Sequence, residues 1–298
     1  MPLTASAFRG AYTALVTPFR DGHVDEAALT ALIEAQIAGG IAGIVPVGTT
    51  GESPTLDYDE HLRVIELSVQ VAKGRTQVVA GTGSNSTKEA VYLSQEAEKR
   101  GADALLLVAP YYNKPTQEGL FQHFVKIAAS VKIPIVLYSI PGRCGIEIAV
   151  ETVARLAAAC PNIVAIKEAG GSVDRVTQLR QALPDAAQFA ILSGDDGLTL
   201  PFLSVGATGV ISVASNILPK EVGDLVGLFL AGKTAEAEAL HRRLTPLFRD
   251  LFIETNPVPT KFALARRGAM TEEVRLPLVP LSEAGRAKLG KTLDALGI

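Results

Sequence analysis

The sequence has no tryptophan, two cysteines, two methionines and four histidines among 298 residues. Cys144 and Cys160 are too few for a disulfide framework. Neither forms a Cys-x-x-Cys pair or stands at zinc-ligand spacing from a histidine, so no zinc site is expected. Long uncharged apolar runs are missing too. Nothing approaches the roughly 18 residues that cross a bilayer, and Met1 to Arg20 has no basic stretch followed by an apolar one. A soluble cytoplasmic protein without a membrane partner is expected. Basic runs are also absent, and a formal net charge of -3 supplies no field to gather polyanions, which argues against nucleic acid as a partner.

What is present is core. Hydrophobic residues make up 48% of the chain and charged residues 20%, ample for a large interior and too little charge for disorder. Apolar runs recur at Ala11 to Thr17, Gly43 to Val47, Gln77 to Gly81, Ala104 to Ala109, Ile133 to Tyr138, Ile163 to Ile166, Phe189 to Leu192 and Gly209 to Val213. Between them lie segments with helical spacing, such as Asp25 to Ala38, Tyr58 to Lys73, Thr87 to Lys99 and Thr116 to Val131, often opened by a capping residue type. Continuous apolar strands alternating with helices indicate a parallel sheet covered on both faces. Eight such units predict an α/β fold of the (β/α)8 TIM-barrel type. After Val213 the strand signal stops, and helical patterns at Thr234 to Phe252 and Pro259 to Arg267 predict a small helical C-terminal extension. The expected division is a catalytic barrel over residues 1–219, then the final barrel helix and the extension over 220–298.

Such a barrel carries its chemistry at the C-terminal ends of the strands. The second strand runs into Gly48-Thr49-Thr50-Gly51-Glu52, whose small residues and hydroxyls suit a carboxylate cradle, with a plain glycine turn as the alternative. The fifth strand ends in Tyr138-Ser139-Ile140-Pro141-Gly142-Arg143, and the sixth in Ile166-Lys167-Glu168. Neighbouring strands lie about 4.8 Å apart, so Tyr138 and Lys167 can face each other. A strand-end lysine ordinarily snorkels to water. If Lys167 faces the interior, however, desolvation frees its amine to attack a carbonyl, with Tyr138 as proton shuttle. Glu168 would then point away and make a structural salt bridge. Arg143 suits a second carboxylate unless it is simply solvated, and Tyr111-Tyr112 belong either to a shaped loop or to aromatic packing.

These segments, together with Thr17-Pro18-Phe19, Ser193-Gly194-Asp195-Asp196, Gly209-Val210-Ile211-Ser212 and Asn256-Pro257, resemble the pyruvate-dependent lyase family that includes dihydrodipicolinate synthase and N-acetylneuraminate lyase. Paired threonines at 49 and 50 with Arg143 look like the first of those subgroups. The resemblance implies that Lys167 forms an imine with pyruvate, without metal or organic cofactor, while Thr50 and the Thr49 amide bind its carboxylate. Tyr138, Thr49 and Tyr112 would pass protons, with Tyr112 entering from a neighbouring subunit of a homo-oligomer, usually a tetramer built as a dimer of dimers. Arg143 would bind the carboxylate of aspartate-4-semialdehyde, and Gly194 and Ile211 would line the pocket through backbone groups. The family's regulatory lysine site would correspond to Ser53, Tyr58, His61, Asn85, Glu89 and Tyr111. Here Pro54 and Tyr58 replace a small residue and a histidine common in lysine-sensitive members, and Ser139 stands where the family often has Asn. The competing expectations are an aldolase for a 2-keto-3-deoxy sugar acid or N-acetylneuraminate, and a noncatalytic carboxylate-sensing barrel. Arg143 disfavours the first, because polyhydroxylated substrates call for neutral partners. An imine lysine is superfluous for the second.

Overall fold

Each apolar run contributes one parallel strand: β1 (Gly10–Ala14), β2 (Gly43–Val45), β3 (Gln77–Gly81), β4 (Ala104–Val108), β5 (Ile135–Ser139), β6 (Ile163–Glu168), β7 (Ala190–Ser193) and β8 (Gly209–Ser212). In the computed structural model, which describes residues 3–184 and 187–298, the strands pair in chain order and β8 returns to β1, closing a barrel. Each strand is followed by its helix: α1 (Glu26–Ala38), α2 (Tyr58–Ala72), α3 (Thr87–Lys99), α4 (Gln117–Ala128), α5 (Val150–Ala159), α6 (Val173–Ala182), α7 (Thr199–Ser204) and α8 (Pro219–Leu230). No helix among the described residues is long and apolar enough to cross a membrane.

The strands read as unbroken apolar runs because both faces are covered, and every residue of β2, β5, β6, β7 and β8 is buried. Side chains start the first four helices: Asp25, Asp57, Ser86 and Thr116 accept from the backbone N–H groups of Ala28, Glu60, Glu89 and Gly119. Where the barrel closes, a Cβ on Gly209 would lie 2.0 Å from the Gly10 carbonyl oxygen, so β1 and β8 meet at this point only with glycine.

Several strands end earlier than the apolar runs suggest. The run Ala11 to Thr17 pairs only as far as Ala14, yet Leu15, Val16 and Thr17 stay buried. Apolar continuity there reports burial, not strand pairing. A two-stranded hairpin at Phe19–Arg20 and His23–Val24, and a single helical turn at Pro141–Cys144, had no periodic signal to reveal them.

Beyond α8 come α9 (Thr234–Asp250), α10 (Val258–Arg266) and α11 (Glu283–Leu296). Helix α9 packs on α8, and α11 packs on α9 and α10. From α10, Lys261 reaches the loop after β2 and forms an ion pair with Glu52, both side chains being essentially inaccessible to solvent. Lys261 also donates to the Glu273 carbonyl at 2.9 Å and lies 4.0 Å from the Phe19 ring centroid. Removing one member of a fully buried pair strands the other charge. Lys261→Met is therefore expected to cost about 3–5 kcal/mol, read as a lowered urea-unfolding midpoint. Adding Glu52→Gln should recover much of that loss, whereas equal damage in single and double variants would mean that the charges are not coupled.

Candidate active site

Tyr138 on β5 is in register with Lys167 on β6. The lysine is buried, and its Nζ lies 4.2 Å from the centre of the Tyr138 ring. Burial lowers the amine from its ordinary 10.5 to about 7; the Asp196 carboxylate opposes this shift and the Arg143 guanidinium reinforces it. Burial pushes the Tyr138 phenol up to about 12, against a side-chain hydrogen bond with Thr49 and the charge of Arg143. At neutral pH a substantial share of the lysine is the free amine, and the phenol keeps its proton. Glu168 turns outward from this centre into a buried ion pair with Arg175 at 2.8 Å.

Space around Lys167 depends on Gly194. A Cβ there would approach Ala169 Cβ to 2.6 Å and Lys167 Cε to 3.1 Å. The Gly194 amide donates to the Glu168 carbonyl at 2.8 Å, which fixes the β7 end beside the lysine. Ile211 is a buried member of β8, in register with Tyr12 of β1.

The turn after β2 is bounded by two non-glycine residues with left-handed backbone, Val47 (φ 50) and Glu52 (φ 56). For a β-branched residue such as Val47 this conformation is strained, and strain of this kind persists only where the surroundings enforce it. Here Val47 is buried, the Thr17 hydroxyl donates to the Gly51 carbonyl at 2.7 Å, and Glu52 is held by Lys261. Between them, Thr49 is half-buried and Thr50 is buried. A cavity of about 200 Å³ opens here, lined among others by Gly48, Thr49, Ser53, Tyr111, Tyr138 and Arg143. Lys167, Thr50, Gly194 and Ile211 are not among its lining residues.

Tyr112 is not part of its own chain's cavity wall. It has a left-handed backbone (φ 70), and its side chain is 90% exposed. Arg143 sits exposed at the mouth, donating from Nη2 to the Asn256 carbonyl at 3.2 Å. Two residues of the expected regulatory site belong to the cavity wall, and three others attach to them or to one another. Ser53 and Tyr111 line it, the Asn85 amide donates to the Tyr111 carbonyl at 3.2 Å, and Tyr58 is hydrogen-bonded to Glu89. His61 faces inward instead, with Nε2 2.9 Å from the Gly81 carbonyl, and burial lowers it to about 4. A neutral His61 with its Nε2–H given to the backbone offers a ligand no charge.

Two contributors escaped the sequence reading. Asp196 is a buried carboxylate that accepts from the Val213 and Ala214 amides at 2.9 and 3.0 Å and acts on the lysine through its charge. Asn256 donates from Nδ2 to Thr50 Oγ1 at 2.9 Å across 206 positions of chain. Both lie in segments that stood out as motifs, but spacing alone gave no sign of what their side chains touch.

A closed eight-stranded barrel with a desolvated amine beside a phenol at its C-terminal mouth has the layout of a (β/α)8 enzyme. The chain belongs to the dihydrodipicolinate synthetase family, whose sequence profile matches residues 7–296. It is 53% identical over 291 residues to the 4-hydroxy-tetrahydrodipicolinate synthase of Pelobacter propionicus, covering 98% of this chain and 99% of that one. Among solved structures, the 4-hydroxy-tetrahydrodipicolinate synthase of the thermoacidophilic methanotroph Methylacidiphilum fumariolicum SolV superposes with a TM-score of 0.96 at 59% identity, covering 97% of this chain and 96% of the other. The chloride-inhibited dihydrodipicolinate synthase of Acinetobacter baumannii, solved in complex with pyruvate, gives a TM-score of 0.94 at 45% identity, covering 97% and 99%.

Proposed function

We infer that this chain is a lyase that condenses pyruvate with L-aspartate-4-semialdehyde to give 4-hydroxy-tetrahydrodipicolinate, in the biosynthesis of lysine and diaminopimelate. The observation that carries the reading is the buried Lys167 amine, brought down to about 7 and set against the Tyr138 ring. Full-length relatives named for this activity support the choice of substrates. Lys167 attacks the pyruvate carbonyl, and Tyr138 delivers the proton with which water leaves the carbinolamine. Loss of a methyl proton then makes the enamine that adds to the aldehyde. The acceptor's own amino group displaces Lys167 from the imine carbon, which closes the ring and frees the enzyme.

Thr50 and the Thr49 amide take the pyruvate carboxylate, and Arg143 takes the carboxylate of the semialdehyde, where a guanidinium fork fits better than it would fit a sugar chain. Gly194 and Ile211 shape the pocket around the imine. Thr49 links Tyr138 to Tyr112, and the exposure of Tyr112 supports its entry into the site of a second subunit. That exchange requires a homo-oligomer of at least two subunits, and the family resemblance supports a tetramer built as a dimer of dimers. Residues 1–219 act as the catalytic barrel, with 220–298 as its final helix and extension, and the cytoplasm is the proposed compartment. Ser53, Tyr58, Asn85, Glu89 and Tyr111 form the candidate lysine-binding site, with His61 contributing as a neutral group.

The functional test is turnover of pyruvate with aspartate-4-semialdehyde, compared with cleavage of 2-keto-3-deoxy sugar acids and N-acetylneuraminate. Turnover of the sugar acids alone would replace the acceptor. A pH profile tests the amine independently. The free base is the nucleophile, so imine formation at low pyruvate should rise about tenfold per unit up to pH near 7 and then level off. A rise that continues to pH 10 would show an ordinary lysine.

A further inference from the structure

Asn256 sits between the two candidate carboxylate subsites. It is buried, and three hydrogen bonds converge on it: its Nδ2 donates to Thr50 Oγ1 at 2.9 Å, its Oδ1 accepts from Thr260 Oγ1 at 3.4 Å, and its backbone carbonyl accepts from Arg143 Nη2 at 3.2 Å. It is brought there from the C-terminal extension, directly before α10. The helix that follows anchors the same loop again through Lys261 and Glu52, and beyond it the Arg275 amide donates to Glu52 Oε2 at 3.1 Å.

A threonine hydroxyl has one proton to give and two lone pairs with which to accept. In Thr50 one lone pair is already occupied by the Asn256 amide, which leaves the proton as the group free to turn toward an anion. A buried hydroxyl with no such neighbour rotates to suit whatever surrounds it. The geometry points to Asn256 as a positioning residue for pyruvate: its side-chain amide fixes the Thr50 hydroxyl as a hydrogen-bond donor to the substrate carboxylate. This rests on Thr50 holding pyruvate, and it adds a residue of the C-terminal extension to the binding machinery of the barrel. The division of labour within Asn256 is specific. The side chain serves the pyruvate subsite, and the backbone carbonyl, which any residue supplies, serves Arg143.

The test is a double-mutant cycle on full-length protein with Asn256→Ala and Thr50→Val, together with the isosteric Asn256→Asp. Asn256→Ala should raise the KM for pyruvate by roughly fivefold or more, and Asn256→Asp by roughly tenfold to a hundredfold. The carboxylate would draw the Thr50 proton to itself and set a negative charge beside the substrate. The KM for the aldehyde should move less than about twofold in both, because the carbonyl that holds Arg143 is unchanged. On a Thr50→Val background, Asn256→Ala should add no further increase in pyruvate KM, since the group it positions is gone.

Increments that multiply in the double variant, a parallel rise in both KM values, or an Asn256→Asp variant with unchanged pyruvate KM would each overturn the assignment. The last of these would mean that Thr50 donates to position 256 and not to substrate. Borohydride trapping of pyruvate on the unsubstituted protein separates the two levels. Trapping there with unmoved variants rejects the role of Asn256 alone, while no trapping rejects the pyruvate subsite and this inference with it.

Discussion

Lys167→Ala lowers turnover of pyruvate and aspartate-4-semialdehyde by on the order of 10⁴-fold or more, because it deletes the bond-forming atom and not merely a contact. The fold should survive, since the side chain removed is a buried amine that burial already disfavours in its charged form. Lys167→Arg should be as inactive, for a guanidinium stays protonated and cannot form the imine. Activity in either variant within about tenfold of the parent would leave Lys167 a spectator, and attention would pass to the barrel as a simple binder of carboxylates.

Tyr112→Phe should cut kcat by about 10²-fold while shifting the pyruvate KM by less than about threefold, the signature of a lost proton-transfer step. The exposure of Tyr112 allows a stronger test. If it serves the site of a second subunit, then mixing Lys167→Ala chains with Tyr112→Phe chains rebuilds intact sites. In each mixed pair, the chain that keeps Lys167 receives an intact Tyr112 from its partner. With random pairing, half the dimers are mixed and each has one good site, so activity should return to about one quarter of the parent. If Tyr112 works within its own chain, no mixture recovers activity, since every site lacks one of the two residues.

How much of this was legible in the sequence depended on the separation of the partners. Tyr138 and Lys167 lie on consecutive strands, and a barrel of parallel strands makes consecutive strands neighbours, so alternation and strand order were enough to put them together. The eight strands were visible because cover on both faces leaves each one a largely apolar run. For the same reason their ends were not: Leu15, Val16 and Val47 are buried in loops and carry the same signal as the strand before them. The helices of the extension were visible from their periodicity, but their purpose was not. Nothing in the spacing of Asn256, Lys261 or Arg275 says that they return to the turn between Val47 and Glu52. His61 shows the limit in another way. The resemblance placed it in a ligand site, while its burial against the Gly81 carbonyl, and with it the neutral ring, is visible only in the fold.

A covalent imine at one lysine is the centre of the proposed chemistry, and mass spectrometry of the protein after treatment with pyruvate and borohydride tests it directly. Reduction of the imine should add the mass of one pyruvic acid less one oxygen atom per chain, and peptide mapping should place the whole increase on Lys167. An unchanged mass, or an increase spread over surface lysines and retained in Lys167→Ala, would contradict it.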